Sequence, residues 1–146
     1  MREIREVIFR GKRTDSGEWV YGYYTKARYF LNKKEMHIIF EPDVEAFPHC
    51  EFTGYEEVLP ETVGQFTGLT DKNGVRIFEG DIVKYDVNYH DMVISYDVEN
   101  WGGWLYEDMD DNMQAYSIYE FCLKDIAVVG NIHDNPDILK GGEDNG

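Results

Sequence analysis

Residues 64–85, GQFTGLTDKNGVRIFEGDIVKY, decide how this chain is read. Gly64, Gly68, Gly74 and Gly80 punctuate two apolar runs here. Between the runs, Asp71-Lys72-Asn73-Gly74 carries turn chemistry, because an Asp side chain bonds its own backbone and an Asn-Gly pair tolerates left-handed φ. The stretch therefore predicts a hairpin, with Gly64 and Gly68 bracketing a short strand and Gly80 ending the second arm. Asp81, set between Gly80 and Ile82-Val83, has two readings. A general acid needs a pKa raised by burial or by a like charge. An Asp at the start of a strand accepts backbone N–H bonds and fixes the turn before it, and this second role is the one favoured.

The same plan stands earlier in the chain. Phe9-Arg10-Gly11 followed by Thr14-Asp15-Ser16-Gly17 lines up with Phe66-Thr67-Gly68 followed by Thr70-Asp71-Lys72-Asn73-Gly74. Residues 7–24 accordingly predict two strands about a turn ending at Gly17, with Trp19, Tyr21 and Tyr23 in strand period. Arg10, Lys12 and Arg13 read as edge-strand charges that discourage strand addition. His37-Ile38-Ile39-Phe40 is a further strand-like run inside an otherwise unpatterned linker, residues 27–59. After Gly80, Val83, Tyr85 and Val87 alternate with Lys84 and Asp86, which predicts a half-exposed strand. Met92–Tyr96, Gly103–Tyr106 and residues 126–132 supply three more. Asn135 and Pro136 predict the start of a short terminal helical turn, and residues 141–146 are expected to be disordered.

Short strands between Gly- and Asp-rich turns, without two good amphipathic helices, predict a mainly β chain ending in a small curled or closed barrel. The richness in large flat side chains, 11 Tyr and 8 Phe in 146 residues, agrees with pleated surfaces. The expected division is an N-terminal hairpin region with its linker (1–59), a barrel (60–140) and a tail (141–146).

Charge narrows the function classes. Residues 1–60 hold 9 basic and 11 acidic residues, residues 61–146 hold 5 and 18, and the two parts carry −2 and −13. Nucleic-acid affinity comes largely from neutralising phosphates, so the second part is not expected to bind a duplex directly. No apolar run approaches the about 18 residues of a membrane span, and MREIREVIFR has no signal-peptide pattern. Cys50 and Cys122 alone build no disulfide framework. A soluble cytoplasmic protein is expected, with Cys122 an inert buried thiol.

Each candidate site has a plainer competitor. Asp108, Asp110 and Asn112 occupy the first, third and fifth positions of a calcium-loop spacing, but Met113 and Tyr119 stand where that loop needs Gly and Glu. An acidic turn is favoured, and no metal or cofactor is expected. His37, His49, His90, His133 and the two cysteines are too scattered for zinc-ligand spacing. Trp101 and Trp104 form either an aromatic platform for bases or sugars or part of the core, and core packing is favoured. Phosphate-loop, dinucleotide and nucleophile-elbow signatures are absent.

Three blocks together resemble the YopX family of phage and prophage proteins. They are Phe9-Arg10-Gly11-Lys12 through Gly17 with Trp19 and Gly22, then Pro60 through Gly74 with Ile77 through Val83, and finally Val129-Gly130-Asn131-Ile132 with Asn135-Pro136. His133 and Asp134 depart slightly from the pattern, which has an aromatic and an acid there. The resemblance implies a mainly β protein whose later half is similar to an SH3-like barrel, encoded by a phage or prophage, with no established activity and no catalytic residues. The family-like positions are turn glycines, turn acids and strand apolars: Gly11, Gly17, Gly64, Gly68, Asp71, Gly74, Gly80, Asp81, Gly130, Asn131 and Pro136. They describe a scaffold. The leading expectation is a non-enzymatic accessory protein that binds a host or phage protein, a basic one if the acidic half is the contact face, or that assembles with itself. The alternatives are a metal-dependent hydrolase using Asp108, Asp110 and Asp111, and a single-strand binder using Trp101 and Trp104.

Overall fold

The computed structural model describes residues 6–40, 55–85, 89–99, 102–108, 115–118 and 121–140. The chain divides into two compact units, residues 1–66 and 67–146, so the boundary expected at 59/60 falls inside the first. The described residues are mainly β. The strands are β1 (Phe9–Lys12), β2 (Trp19–Arg28), β3 (Glu35–Phe40), β4 (Tyr55–Glu57), β5 (Gly64–Thr70), β6 (Arg76–Phe78), β7 (Asp81–Lys84), β8 (Met92–Tyr96), β9 (Trp104–Asp108), β10 (Ala115–Ser117) and β11 (Ala127–Asn131). They make a six-stranded sheet ordered β4-β3-β2-β1-β5-β6 and a five-stranded sheet ordered β10-β9-β8-β7-β11. Helical structure takes the form of short 3-10 turns, among them Pro60–Thr62, Leu123–Asp125 and Pro136–Lys140. No described helix is long and apolar enough to cross a membrane.

In the first unit, β1 and β2 pair antiparallel with Phe9 opposite Gly22 and Gly11 opposite Val20. The turn between them closes where the Gly17 N–H donates to the Arg13 carbonyl, 3.0 Å, with Gly17 at φ +74°. Partners across antiparallel strands share a face. The face holding Gly11 and Gly22 closes on buried Ile39 and Val58, and a Cβ at Gly11 would press on both. Gly22 is more constrained, since a Cβ there would overlap the Phe40 carbonyl oxygen of β3.

The reading of Arg10, Lys12 and Arg13 as edge charges is corrected. β1 lies between β2 and β5, pairing with both. Arg10 is buried and its guanidinium lies 4.7 Å from the centre of the Trp19 ring, with the Lys12 ammonium 5.4 Å from the same ring. Arg13 reaches Asp15 at 2.9 Å and Glu56 at 3.4 Å. The apolar stems of Arg10 and Lys12 cover the sheet while their cations meet an aromatic face. The hydrogen bond to Asp15 holds the Arg13 guanidinium above its usual pKa, and the same bond from Arg13 holds the Asp15 carboxyl below the usual carboxylate range.

The second unit packs Ile77, Val83, Met92, Ile94, Tyr106, Ile118, Phe121 and Ile126 into one core. Phe121 is its aromatic hub, with the rings of Tyr85, Tyr116 and Tyr106 at 4.5, 5.3 and 5.4 Å. The alternation predicted after Gly80 holds as far as it is described, with Val83 buried, Lys84 exposed and Tyr85 half-buried, while Asp86 and Val87 lie outside the described residues. Ahead of that stretch Asp81 and Ile82 are buried as well, so the start of β7, which pairs with β11 on one side and β8 on the other, is covered on both faces. The expected closed barrel is not seen among the described residues, where the five-stranded ladder ends at β10 and β11. A bulge between Val128 and Gly130 bends β11. The linker reading of 27–59 gives way to β3 and β4, while 41–54 and the tail 141–146 lie outside the described residues.

Two stability effects follow. Gly22→Ala is expected to cost about 3 kcal/mol in urea unfolding, because backbone of β3 rather than a flexible side chain must move. Tyr106 is fully buried, and among the described residues its hydroxyl has no hydrogen-bond partner. Its burial, with the nearby Cys122 thiol, pushes its pKa up to about 12. Tyr106→Phe removes an unsatisfied buried donor and is expected to raise stability by about 1 kcal/mol in the same measurement.

Candidate functional site

The positions singled out by the sequence fall on the turns of the second unit, where three buried polar side chains organise the backbone. Asp71 leads them. It ends β5 and is 6% exposed. Its Oδ1 accepts the N–H groups of Asn73 and Val75 at 2.8 and 2.9 Å, and its Oδ2 accepts the Val128 N–H of β11 at 2.8 Å. The Gly74 N–H donates to the Asp71 carbonyl at 3.0 Å, with Gly74 at φ +78°. Asn73 keeps negative φ, so the loop is a three-residue turn with one left-handed glycine rather than an Asn-Gly pair. Burial works to raise the Asp71 pKa, but the N–H groups of Val128, Val75 and Asn73 outweigh it and hold the carboxyl below the ordinary range.

Asp81 is 2% exposed, and its Oδ2 accepts the Phe78 N–H at 2.7 Å. That bond clamps the turn through Gly80, which sits at φ +90°. The Gly80 N–H donates to Ile94 of β8 and its carbonyl accepts from Ile132, at 2.8 and 2.9 Å. Asn131 closes β11. Its Oδ1 accepts the His133 and Asp134 N–H groups at 3.0 and 2.9 Å, and its Nδ2 donates to Asp134 at 3.1 Å. Asn135 turns its Oδ1 back toward the Asn131 N–H, 3.3 Å away. A Cβ on Gly130 would lie 2.6 Å from that oxygen, so a side chain there would displace the Asn135 amide. Pro136 opens the 3-10 turn as expected.

Gly64 and Gly68 lie within β5, and Gly11 and Gly17 belong to the first hairpin. Two threonines went unread in the sequence. Thr62 Oγ1 donates to the Leu59 carbonyl and accepts the Lys12 N–H, at 2.6 and 2.9 Å. Thr67 Oγ1 donates to the Ile77 carbonyl at 2.8 Å and accepts the Leu69 N–H at 3.1 Å. Neither residue's role shows until its partner is known, Thr62 ending a 3-10 turn and Thr67 lying within β5.

The catalytic alternatives fare differently. Asp108 is buried, with its Oδ2 3.3 Å from His90 Nδ1, whereas Asp110, Asp111 and Asn112 lie outside the described residues. Among the described residues no three His, Cys, Asp or Glu side chains are grouped to hold a metal ion. His37 meets the Tyr24 hydroxyl at 2.6 Å and Glu35 at 3.5 Å. Cys122 is exposed, not buried as expected, because Phe121 points into the core and its neighbour faces away. Trp104 packs against the core edge-on to Tyr96, 5.1 Å between rings, as favoured; Trp101 lies outside the described residues.

The Asp71 bonds set a pH dependence. A carboxyl with a depressed folded-state pKa contributes stability that is present above its unfolded value and lost as pH falls through the folded one. Wild-type protein is therefore expected to lose stability below about pH 4 more steeply than Asp71→Asn. At neutral pH the variant should be weaker by about 1–3 kcal/mol, since an amide N–H₂ cannot accept the Val128 or turn N–H groups. Urea titrations across pH 2.5–7 compare the two.

No curated protein matches the chain. A solved structure does: the crystal structure of protein EF1440 from Enterococcus faecalis, 27% identical, with a TM-score of 0.57 over 92% of this chain and 98% of that one. The family model described as YopX protein matches residues 8–140, a span that contains the first hairpin, all three buried polar turns and the terminal 3-10 turn. The chain belongs to the YopX protein family.

Proposed function

We propose that this protein is a phage- or prophage-encoded accessory protein of the bacterial cytoplasm, a non-enzymatic module that binds another protein through the acidic surface of its second unit. The observation that carries this reading is how the acids of that unit divide. Asp71 and Asp81 are buried against backbone N–H groups and hold turns. Glu99, Asp125 and Asp137 are exposed. A carboxylate held ionised by three N–H donors is a poor general acid, whereas exposed carboxylates in a segment of net charge −13 attract a basic partner and speed its docking. The second unit's short antiparallel strands around one core also support reading it as an open relative of the SH3-like barrel.

Affinity capture from host lysate containing phage proteins, at low and high salt, tests this reading. A basic partner retained at low salt and released at high salt is the expected result. The charge-reversed variant Glu99→Lys/Asp125→Lys/Asp137→Lys should bind that partner at least about tenfold more slowly with an unchanged melting temperature. Partners indifferent both to salt and to the reversal would count against the acidic surface.

A further inference from the structure

The first unit carries a surface of opposite character. Residues 19–40 hold Lys26, Arg28, Lys33 and Lys34 against the single acid Glu35. Their β2–β3 hairpin runs well past the core, since every residue from Tyr29 to Glu35 is exposed. The loop is nevertheless ordered by its own bonds. The Tyr29 N–H donates to the Lys34 carbonyl and the Lys33 N–H to the Tyr29 carbonyl, each at 2.8 Å, and Asn32 Oδ1 accepts the Lys34 N–H at 2.9 Å. Phe30 at its tip is 82% exposed, with the Lys33 ammonium 5.7 Å from its ring centre.

Behind the tip, Tyr21 and Tyr23 of β2 are 46% and 53% exposed and share one face of the sheet. The register continues that face across Phe40 of β3 to Tyr55 of β4, whose rings meet at 6.2 Å. The same alternation turns Lys26 and Arg28 to the other face of β2, so the cations left to accompany these rings are Lys33 and Lys34 in the loop beside Phe30. Exposed rings with nearby cations are the two components that bind single-stranded nucleic acid without sequence preference. Strand geometry sets Tyr21 and Tyr23 about 6.8 Å apart. That is twice the roughly 3.4 Å rise of stacked bases, so a chain lying along β2 must have its bases spread, as a single strand allows and a duplex does not.

The geometry points to a single-stranded nucleic-acid site on the first unit, with bases on Tyr21, Tyr23 and Phe30 and phosphates on Lys33 and Lys34 of the β2–β3 loop. The strongly acidic charge of the chain lies chiefly in residues 61–146, so the repulsion expected there does not describe residues 19–40. This surface is independent of the acidic one proposed above, and its probe is an anion that the acidic surface would repel. Either reading can therefore fail without the other.

The test is fluorescence anisotropy of a labelled oligothymidylate of about 12 nucleotides with the full-length protein. Saturable binding is expected at low salt, with a log–log salt slope no steeper than about −1.4 for the two lysines. Tyr23→Ala and Phe30→Ala, both at exposed positions, should each weaken binding about five- to hundredfold, and Phe30→Trp should restore it. Lys33→Ala/Lys34→Ala should flatten the slope by about 1.4. Absence of saturation at low salt, wild-type affinity in both ring variants, or displacement by polyglutamate as effective as by unlabelled oligonucleotide would overturn the proposal.

Discussion

The carboxylate of Asp71 is the tie on which the second unit depends. Its oxygens satisfy two N–H groups of its own turn and a third in β11, 57 residues along the chain. The local pair shapes the hairpin, and the distant bond joins its tip to the last strand. A backbone bond from the Lys72 N–H to the Ile126 carbonyl, 2.9 Å, runs beside it. At this depth water cannot substitute as acceptor, so the geometry of one side chain connects the middle of the sequence to its end. Asp81 and Asn131 extend the arrangement. Asp81 holds the turn whose Gly80 bonds both Ile94 and Ile132, and Asn131 closes the segment that follows β11. The five-stranded sheet is thus joined through its turns as well as its ladders.

The first unit relies on close approach instead. Gly11 and Gly22 remove side chains where Ile39, Val58 and the Phe40 backbone must come near, and one sheet face closes. Aromatic side chains are left on the opposite face, and the cations of β1 lie over Trp19. The two units therefore use charge differently. Carboxylates are drawn inward to backbone N–H groups in the second, while in the first Arg10 and Lys12 cover an indole, Arg13 pairs with Asp15 and Glu56, and other cations stand out on a hairpin.

Local chemistry was readable in the sequence wherever it was self-contained. Asp15-Ser16-Gly17 and Asp71 to Gly74 announced their hairpins, and Met92–Tyr96 matches β8 residue for residue. Pro136 opened the terminal turn as expected. Strands β4 and β10 escaped notice because Tyr55–Glu57 and Ala115–Ser117 are three residues each, too short to display a period. The roles of Thr62 and Thr67 were hidden for another reason, since a threonine looks the same in a sequence whether or not its hydroxyl has a buried partner. Asp81 was legible as a turn holder, because its partner, the Phe78 N–H, is three residues away.

By itself the sequence determined the mainly β class, the two glycine-closed hairpins and the family, since turn preference and strand period are set by bonds within a few residues. Tertiary structure alone decided that β1 is interior and its cations are covered, that the start of β7 is buried on both faces, and that the five-stranded sheet stays open among the described residues. It also decided that Cys122 faces solvent and that Asp71 reaches β11. Each of these depends on which strands lie side by side, and that is settled by burial and pairing between residues dozens of positions apart.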